Sequence, residues 1–387
     1  MEPTAERPLT GISPPGRIAA PGEGIGQDEL ALAARNHGLP LEALRYEVTP
    51  AGLHYVLVHY DIPDTRGAGS TGSTGGTDAG ADDPAETWRL TLHGRLQSPL
   101  SLSLRDLRTL PSVTRRVTME CAGNGRARLS PRPVSQPWLV EAVGTADWTG
   151  VPLRAVLAEA GAAPGAVEAV FTGADHGVER GVEQDYRRSL PLPVDEDVLL
   201  AHTMNGGPLP PQHGHPLRLI VPGWYGMAHV KWLRDIELVD TAFGGYQQAT
   251  AYRYKQSAEE PGEPVTRIAP RALLIPPGFP DFMSRTRVVS PGPLRLSGRA
   301  WSGYGPIVRV ELSTDGGAGW TDAATLPQGG HPYAWQGWHA DWTAVPGTHT
   351  LLVRATDASG RTQPVQQPWN RGGFGNNQVQ AVSVVCR

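Results

Sequence analysis

Residues 119–129 read MECAGNGRARL and contain one of the two cysteines in the 387-residue chain. A thiolate is a soft metal ligand, and nearby cations lower the pKa of its thiol. Arg126 and Arg128 are such cations, while Gly123 and Gly125 let the backbone approach a bound group because glycine lacks a Cβ. The pattern also fits a small buried cysteine in a glycine-containing turn. By itself the motif therefore leaves a metal ligand and a core residue as alternatives.

The whole-chain composition is typical of a globular protein with two or three domains. The hydrophobic fraction is 39% and the formal net charge is −4 at pH 7. This balance has no basic excess, so we expect no nucleic-acid partner. Among the 34 lysines and arginines, only Lys231 and Lys255 are lysine. A lysine kept in a chain that otherwise uses arginine is a candidate for a specific contact.

The cysteine content and the N-terminal sequence bear on location. Two cysteines, Cys121 and Cys386, cannot build a disulfide framework, so a reducing compartment fits best. Residues 1–24 have no apolar core of signal-peptide length, and no later stretch approaches ~20 apolar residues. We therefore expect a cytoplasmic protein with no membrane partner.

Local composition divides the chain into segments. Residues 1–24 are rich in proline and glycine and are predicted to be a flexible lead-in. Residues 67–83 (GAGSTGSTGGTDAGADD) are low in complexity and predict a mobile loop insertion without a direct role. Residues 25–265 mix helical and strand-like patterns, which favours an α+β domain. Residues 266–387 contain short runs of alternating polarity, which predict a β-sandwich.

Five motifs extend the argument beyond the cysteine. They are CAGNGR (121–126), WTGVPLRAVLAEAG (148–161), FTGAD (171–175), MNGGPLPPQHGHPLRLIVPGWYGMAHVKWL (204–233) and QPWNRGGFGNN (367–377). In this order they resemble the sulfite oxidase family of molybdenum enzymes, and the match spans nearly all of the chain after the lead-in. The resemblance implies an α+β molybdopterin-binding domain followed by an all-β immunoglobulin-like sandwich domain that mediates dimerisation.

The resemblance also implies which residues hold a molybdenum–pyranopterin cofactor. Cys121 would be the protein's thiolate ligand, since soft sulfur suits such a metal. A buried pterin phosphate needs permanent cations and hydrogen-bond donors. His213, Arg218 and Lys231 would supply them. A zinc site at His213 and His215 is less favoured, because a structural zinc wants about four ligands and the chain offers one plausible cysteine.

Further residues take roles by the same resemblance. Asp175 would accept hydrogen bonds from the pterin, Trp138 would form a wall of the substrate pocket, and Arg126 would lie beside the metal. Tyr252 would be the active-site tyrosine. Tyr246 and Tyr254 are near enough in sequence to remain alternatives for that role.

The family holds its anionic substrate with arginines, and the chain offers two alignments for one of them. Arg35 and His37 belong to an Arg-Asn-His stretch that matches the family pattern letter for letter. Residues 55–63 (YVLVHYDIP) match the strand context of the same pattern. In the second alignment Leu57 stands at the arginine position and His59 keeps the contact with the pterin. Both alignments remain open, so Arg35, His37 and His59 are all candidate cofactor-binding residues.

Other substrate-pocket positions also depart from the family pattern. Arg371 is shifted by one residue within Trp-Asn-Arg-Gly, although it remains the candidate substrate-binding arginine near the C-terminus. Residues 133–138 lack the family's lysine, and Ala228-His229 replace a stretch that usually carries arginine. A charge-assisted hydrogen bond is worth about 1.5–3 kcal/mol, so these changes indicate an altered substrate charge or size.

The function that the resemblance favours is molybdenum-dependent oxygen-atom transfer. Oxidation of sulfite or a related small sulfur compound is the leading reaction, with electrons passed to a separate acceptor. Neither a His-Pro-Gly-Gly nor a Cys-x-x-Cys-His haem signature occurs in the sequence, so we expect no haem. The alternatives are a sulfoxide or other oxo-compound reductase on the same scaffold, and a non-catalytic dimeric interaction protein. A homodimer is expected from the family alone.

Overall fold

The computed structural model describes residues 17–65, 87–179, 182–281 and 283–387. The predicted loop insertion, residues 67–83, lies outside the described residues, as does most of the predicted lead-in. The described chain is mostly β-structure. Helices are few and short, and they lie in the N-terminal part.

Three α-helices, five short 3₁₀-helices and one π-helix occur in the described part of the chain. The α-helices are α1 (Gln27–Arg35), α2 (Leu104–Thr109) and α3 (Leu153–Ala160); the 3₁₀-helices are Leu41–Arg45, Ala51–Leu53, Arg126–Arg128, Pro211–His213 and Gly226–Ala228; the π-helix is Gln247–Ala251. Within the described ranges, no helix has both the length and the apolar character needed to cross a bilayer.

Within its described ranges the N-terminal part contains twelve strands. They are β1 (Arg89–Gly94), β2 (Leu100–Ser103), β3 (Val113–Glu120), β4 (Val143–Pro152), β5 (Glu168–Glu179), β6 (Val182–Pro191), β7 (Leu199–Met204), β8 (Gly207–Pro208), β9 (Arg218–Ile220), β10 (Leu233–Val239), β11 (Arg253–Tyr254) and β12 (Glu263–Pro264). One sheet has the order β2-β1-β10-β5-β6, with β1 and β10 parallel. A second has the order β3-β4-β7-β8, with β9 paired to β7, and β11 and β12 form a small ribbon.

The helices of this part cover apolar sheet surface. Helix α2 begins at Ser103, whose side chain accepts a hydrogen bond from the Asp106 N–H, while Asp106 bonds back to the Ser103 N–H. This capping box satisfies donors that the helix itself cannot pair. Leu104 and Leu107 then pack in the same core as Phe171 of β5. The mixture of sheets and short helices agrees with the predicted α+β organisation, with less helix than strand.

The C-terminal part contains ten strands in two sheets. They are β13 (Arg271–Leu274), β14 (Phe279–Pro280), β15 (Arg287–Val289), β16 (Gly292–Trp301), β17 (Ile307–Ser313), β18 (Thr321–Asp322), β19 (Ala324–Thr325), β20 (Gln336–Ala344), β21 (Gly347–Asp357) and β22 (Gln380–Cys386). The sheet orders are β13-β16-β20-β19 and β14-β15-β22-β21-β17-β18. Leu296 and Trp338 of the first sheet share a core with Leu351 and Val384 of the second. Two sheets that share one core form a sandwich, as predicted.

The two parts meet at the strand that leads to the cysteine motif. Glu120, the last residue of β3, forms an ion pair with Arg271 at 2.7 Å, and both side chains are 1% exposed. The Trp301 indole N–H donates to the other Glu120 carboxylate oxygen at 2.8 Å. The Gly375 N–H donates to the Ala122 carbonyl at 2.8 Å. The C-terminal sandwich therefore holds the backbone on both sides of Cys121.

Candidate active site

The cysteine motif forms a tight buried turn directly after β3. The Cys121 side chain is 7% exposed. The Asn124 N–H donates to the Cys121 carbonyl at 3.0 Å and closes the turn. A Cβ on Gly123 would lie 2.7 Å from the guanidinium of Arg126, so this position has room for glycine alone. The two glycines thus serve the close approach of Arg126 and the sharp turn at Gly125, where φ is +90°.

A partly open cavity lies beside Cys121. Polar and aromatic side chains converge on it, as in sites that bind small molecules. Seven predicted site residues line it: His59, Cys121, Asp175, His213, Arg218, Lys231 and Tyr252. They come from segments far apart in sequence. The fold therefore gathers most of the predicted site around one cavity.

Two buried cations lie in this cavity. Arg218 of β9 donates from Nη1 to the His213 carbonyl at 3.1 Å, while its Nε has no hydrogen-bond partner among the described residues. Lys231 donates from Nζ to the carbonyls of Leu57 and Gln212 at 2.8 and 3.3 Å. Burial lowers the pKa of Arg218 to about 10 and also lowers the pKa of Lys231. Arg218 Nη2 also donates to the Met119 sulfur at 3.4 Å. Buried positive charges whose partners are all neutral favour an anionic ligand.

His213 lies beside these cations as a neutral donor. Its side chain is 2% exposed, and its ring meets the His54 ring edge-on at 5.2 Å. Burial lowers the His213 pKa, and the neighbouring positive charges lower it further. Its Nε2 lies 3.4 Å from the Ala51 carbonyl, and in a neutral imidazole one ring nitrogen donates while the other accepts.

Asp175 of β5 presents a carboxyl group to the same cavity. The side chain is 4% exposed, and Oδ1 has no hydrogen-bond partner among the described residues. Burial raises the Asp175 pKa, and the positive charge of Lys231 opposes that rise. An orphaned buried acceptor in a cavity indicates that a bound group supplies the donor.

Tyr252 and His59 form a hydrogen-bonded pair at another point of the cavity wall. The Tyr252 hydroxyl lies 2.8 Å from His59 Nε2. Burial, followed by the charge of Lys231, lowers the His59 pKa to about 3, so the ring is neutral at pH 7. Tyr252 directly follows the π-helix Gln247–Ala251, a rare element that is frequent at functional sites. Of the three tyrosines considered for this role, Tyr252 is the one that lines the cavity.

The two stretches that compete for the family's Arg-Asn-His position lie side by side. The His37 N–H donates to the Val56 carbonyl at 3.2 Å, and the Val56 N–H donates back at 2.9 Å. The Asn36 Oδ1 accepts the Val58 N–H at 2.7 Å. The first stretch thus folds back as a short antiparallel neighbour of residues 55–63. The exposed His37 takes part through its backbone.

Arg35 lies behind the cavity wall. Its Nη2 donates to the His59 carbonyl at 2.7 Å, and its Nη1 lies 3.7 Å from the Asp61 carboxylate. Leu57, in contrast, lines the cavity. Arg35 therefore braces the segment that carries His59 and adds positive potential, while the cavity surface at Leu57 is apolar.

Arg126 and Trp138 lie next to Cys121. The Arg126 guanidinium donates from Nε to the Gly372 carbonyl at 2.9 Å and lies 5.1 Å above the Phe374 ring. Burial raises the Cys121 pKa, and the charge of Arg126 opposes that rise. Trp138 is 3% exposed and packs in the same cluster as Cys121, with an indole N–H that lacks a well-aligned acceptor. A metal that binds Cys121 would displace the thiol proton.

Arg371 lies on a loop away from the cavity lining. Its backbone N–H donates to the Lys255 carbonyl at 2.7 Å. Its guanidinium acts on Glu259, whose pKa is lowered mainly by hydrogen bonds from its own backbone and Ser257 and to a lesser degree by Arg371. The one-residue shift thus coincides with an Arg371 side chain that does not line the cavity.

Comparison with known proteins identifies the family. The family model "Oxidoreductase molybdopterin binding domain" matches residues 77–247, and "Mo-co oxidoreductase dimerisation domain" matches residues 280–386. A sulfite oxidase of Arabidopsis thaliana is 30% identical, with 87% of each chain covered. The chain belongs to the sulfite oxidase family of molybdopterin oxidoreductases. This membership agrees with the order of the five motifs and with the site geometry.

Other members of this family differ in length from the chain. A sulfite oxidase of Gallus gallus is 35% identical over 74% of this chain and 66% of its own length. Nitrate reductase [NADH] 1 of Oryza sativa is 31% identical over 90% of this chain and 40% of its own length. The chain therefore spans less than two thirds of these two relatives. The sulfane dehydrogenase SoxCD of Paracoccus pantotrophus superimposes with a TM-score of 0.72 at 28% identity, covering 89% of this chain and 82% of that chain.

The cavity of this family member fits a molybdenum–pyranopterin group. The orphaned Nε of Arg218 and the ammonium of Lys231 would hold its phosphate together with His213, and we call these three residues the phosphate end. The orphaned Asp175 Oδ1 would accept from the pterin. Cys121 would supply the metal's thiolate ligand. An unpartnered donor on Arg218 and an unpartnered acceptor on Asp175 thus occur in one cavity, among the described residues.

Sequence reasoning missed several residues of the cavity. Tyr186 of β6 stacks on His59 with ring centroids 5.0 Å apart and donates from its hydroxyl to the Met227 carbonyl at 2.7 Å. His229 lies 3.2 Å from the Val221 N–H through Nδ1 and 3.1 Å from the Trp224 carbonyl through Nε2. His229 therefore replaces a charged family residue with a neutral group that braces the loop. For Tyr186, the alternation of inward and outward side chains along β6 was the available signal.

Proposed function

We propose that the protein is a molybdenum–pyranopterin enzyme that transfers an oxygen atom to or from a small substrate. Oxidation of sulfite or a related small sulfur compound is the reaction the site supports best, with electrons passed to an external acceptor. One observation carries this proposal: the Cys121 thiol and the buried charges of Arg218 and Lys231 face one cavity. That combination suits a cofactor with a soft metal and a phosphate.

The division of labour follows from the chemistry of the site. The bound cofactor would supply the two-electron redox chemistry, and the protein supplies binding, orientation and electrostatics. Arg218 and Lys231 would fix the phosphate, and Cys121 would fix the metal. The bond of 2.8 Å between Tyr252 and neutral His59 holds the tyrosine hydroxyl in one orientation at the cavity wall. Packed surroundings keep water from most of this surface.

The relatives support a sulfur substrate. Sulfite oxidases of two organisms and the sulfane dehydrogenase SoxCD resemble the chain over most of its length. Their substrates are their own, and we extend only the class, a small sulfur compound, to this protein. The absence of a haem signature in the sequence supports transfer of electrons to a separate acceptor.

Assembly and location form part of the same proposal. We propose that the C-terminal sandwich is immunoglobulin-like and pairs two copies of the chain. The match of residues 280–386 to a dimerisation domain supports this arrangement. A reducing compartment such as the cytoplasm suits Cys121 and Cys386, which are free and buried.

Metal and pterin analysis tests the proposal. The protein and its Cys121→Ser variant are expressed in a host that makes the cofactor, and molybdenum and oxidised-pterin fluorescence are measured per chain. We expect about one molybdenum per wild-type chain, and no measurable turnover by the folded serine variant, because a hydroxyl is a poor substitute for a soft thiolate. A well-folded wild type without metal or pterin would contradict the proposal and favour a non-catalytic interaction protein.

A second candidate function is reduction of a sulfoxide or another oxo compound. Leu57, which one of the two alignments puts at the family's arginine position, lines the cavity, and Arg371 lies outside the lining. A pocket with fewer arginines disfavours a dianion relative to a neutral substrate. The two functions are separated by assaying sulfite with an artificial electron acceptor against dimethyl sulfoxide with a reduced dye.

A further inference from the structure

A buried arginine that the family motifs do not include lies beside the active-site tyrosine. Arg188 of β6 is 4% exposed, and its guanidinium carbon lies 5.5 Å from the centroid of the Tyr252 ring. Its Nη1 donates to the Gln247 carbonyl, in the π-helix that leads to Tyr252. Its Nε has no hydrogen-bond partner among the described residues. The guanidinium therefore has unused donor capacity at a buried position.

Arg188 also lacks a counter-charge. The groups with the largest electrostatic effect on it are Tyr186 and Tyr252, neither of which is a carboxylate. Arg271, which is equally well buried, pairs with Glu120 at 2.7 Å. An arginine removed from water without a carboxylate is strongly unfavourable unless an anion joins it. The contrast between Arg188 and Arg271 indicates that the partner of Arg188 is a bound anion.

The position of Arg188 selects the kind of anion. Arg126 and Arg188 both interact electrostatically with Tyr252, and Arg188 lies against the Tyr252 ring. The phosphate end already has Arg218 and Lys231. We call the substrate end the region of Leu57 and Tyr252, which line the cavity, together with Arg126 beside Cys121 and Arg188 behind Tyr252. It has no arginine at position 57, and Arg188 approaches it from another strand.

We propose that Arg188 supplies the positive charge that Leu57 does not, and that it binds a small oxyanion substrate beside Tyr252. This inference rests on the proposed function and specifies its substrate class as an oxyanion of the sulfite type. It assigns Arg188 a role in substrate recognition. A sulfoxide, which is neutral, would gain little from this residue.

A matched pair of variants on one strand tests the inference. Arg188→Met removes the buried charge, and Arg187→Met removes a charge from the opposite face of β6, where Arg187 pairs with Glu237 at 3.0 Å. Binding of inorganic sulfate to each holoenzyme is measured by calorimetry, together with molybdenum and pterin content. The sulfite KM is measured in parallel. Arg188→Lys serves as the variant that keeps the charge.

We expect about tenfold or greater loss of sulfate affinity and a matching rise in sulfite KM for Arg188→Met, with cofactor content unchanged. Arg187→Met should behave as wild type, and Arg188→Lys should retain most of the affinity. The melting temperature of Arg188→Met should not fall, because an unpaired buried charge is removed.

Three results would overturn the inference. Unchanged sulfate affinity in Arg188→Met would show that no anion contacts the residue. Loss of molybdenum or pterin would assign the arginine to the cofactor. If Arg188→Lys and Arg188→Met both had a lower melting temperature and an unchanged sulfate affinity, the role of Arg188 would be in folding alone. Wild-type protein without molybdenum would refute the proposed function, whereas loaded wild type and loaded Arg188→Met with equal sulfate affinity would refute the inference alone.

Discussion

The phosphate end and the substrate end of the cavity differ in where their residues lie along the sequence. His213, Arg218 and Lys231 come from one continuous motif, residues 204–233. The substrate end draws Leu57, Arg126 and Tyr252 from separate segments, joined by Arg188 of β6. A group that never changes can be bound by a fixed local motif. A substrate that differs between relatives is contacted by residues that can be exchanged one at a time.

The cations of the two ends are held by the same kinds of contact. Arg218 and Lys231 at the phosphate end donate to main-chain carbonyls and also lie over tryptophan rings. Arg126 and Arg188 at the substrate end likewise donate to main-chain carbonyls and lie over the rings of Phe374 and Tyr252. Cation–π contacts stabilise a cation without neutralising it, which leaves its charge available to a ligand. The two ends therefore differ in the origin of their residues along the chain.

The largest expected effect lies at the phosphate end. Lys231→Met should weaken cofactor retention by roughly 10- to 100-fold, because a charge-assisted contact with a phosphate is worth about 1.5–3 kcal/mol. Pterin and molybdenum per chain after dialysis measure this effect. Lys255→Met, which changes the only other lysine, is the matched control and should keep the cofactor. A Lys231→Met protein with full pterin and molybdenum content would contradict the assignment of Lys231 to cofactor binding, and with it the distinction between the two ends.

The buried pair of Glu120 and Arg271 fixes the backbone next to the Cys121 thiol. Glu120→Gln should lower the free energy of unfolding by about 3–5 kcal/mol, because it leaves Arg271 charged and buried. Chemical denaturation measures the change. Arg295→Met, which breaks the exposed pair of Arg295 and Asp341, should alter stability by less than about 1 kcal/mol. Equal effects of the two substitutions on the free energy of unfolding would mean that the buried pair of Glu120 and Arg271 stabilises the protein no more than an exposed pair does.

The smallest effect is expected at Arg371. Because its side chain lies near Glu259 and outside the cavity lining, Arg371→Ala should change the sulfite KM by less than about twofold. The sulfite KM of Arg371→Ala is measured in parallel with that of Arg188→Met, so that the contributions of the two arginines to substrate binding are compared directly. A larger rise in KM for Arg371→Ala than for Arg188→Met would indicate that Arg371, on the C-terminal loop, contacts the substrate.

Much of the fold could be predicted because its signals are local. The alternating runs after residue 270 predicted a sandwich, and two sheets with a common core are present. Helix α1 ends at Arg35, just before Gly38 and Pro40, residues that commonly end a helix. The following residues Leu41–Arg45 form a 3₁₀-helix.

The sequence by itself determined the chemistry that this protein can hold: a thiol in a glycine turn, two cations and a histidine in one long motif, and a carboxyl group at the end of FTGAD. These are short-range patterns, and residue type together with spacing decides them. Only the tertiary structure decided that Leu57, and not Arg35, lines the cavity, that Arg371 lies outside it, and that Arg188 is buried without a carboxylate. Those outcomes depend on which strands meet and on what a buried charge finds beside it. The residue order within one segment specifies neither the strand pairing nor the neighbours of a buried charge.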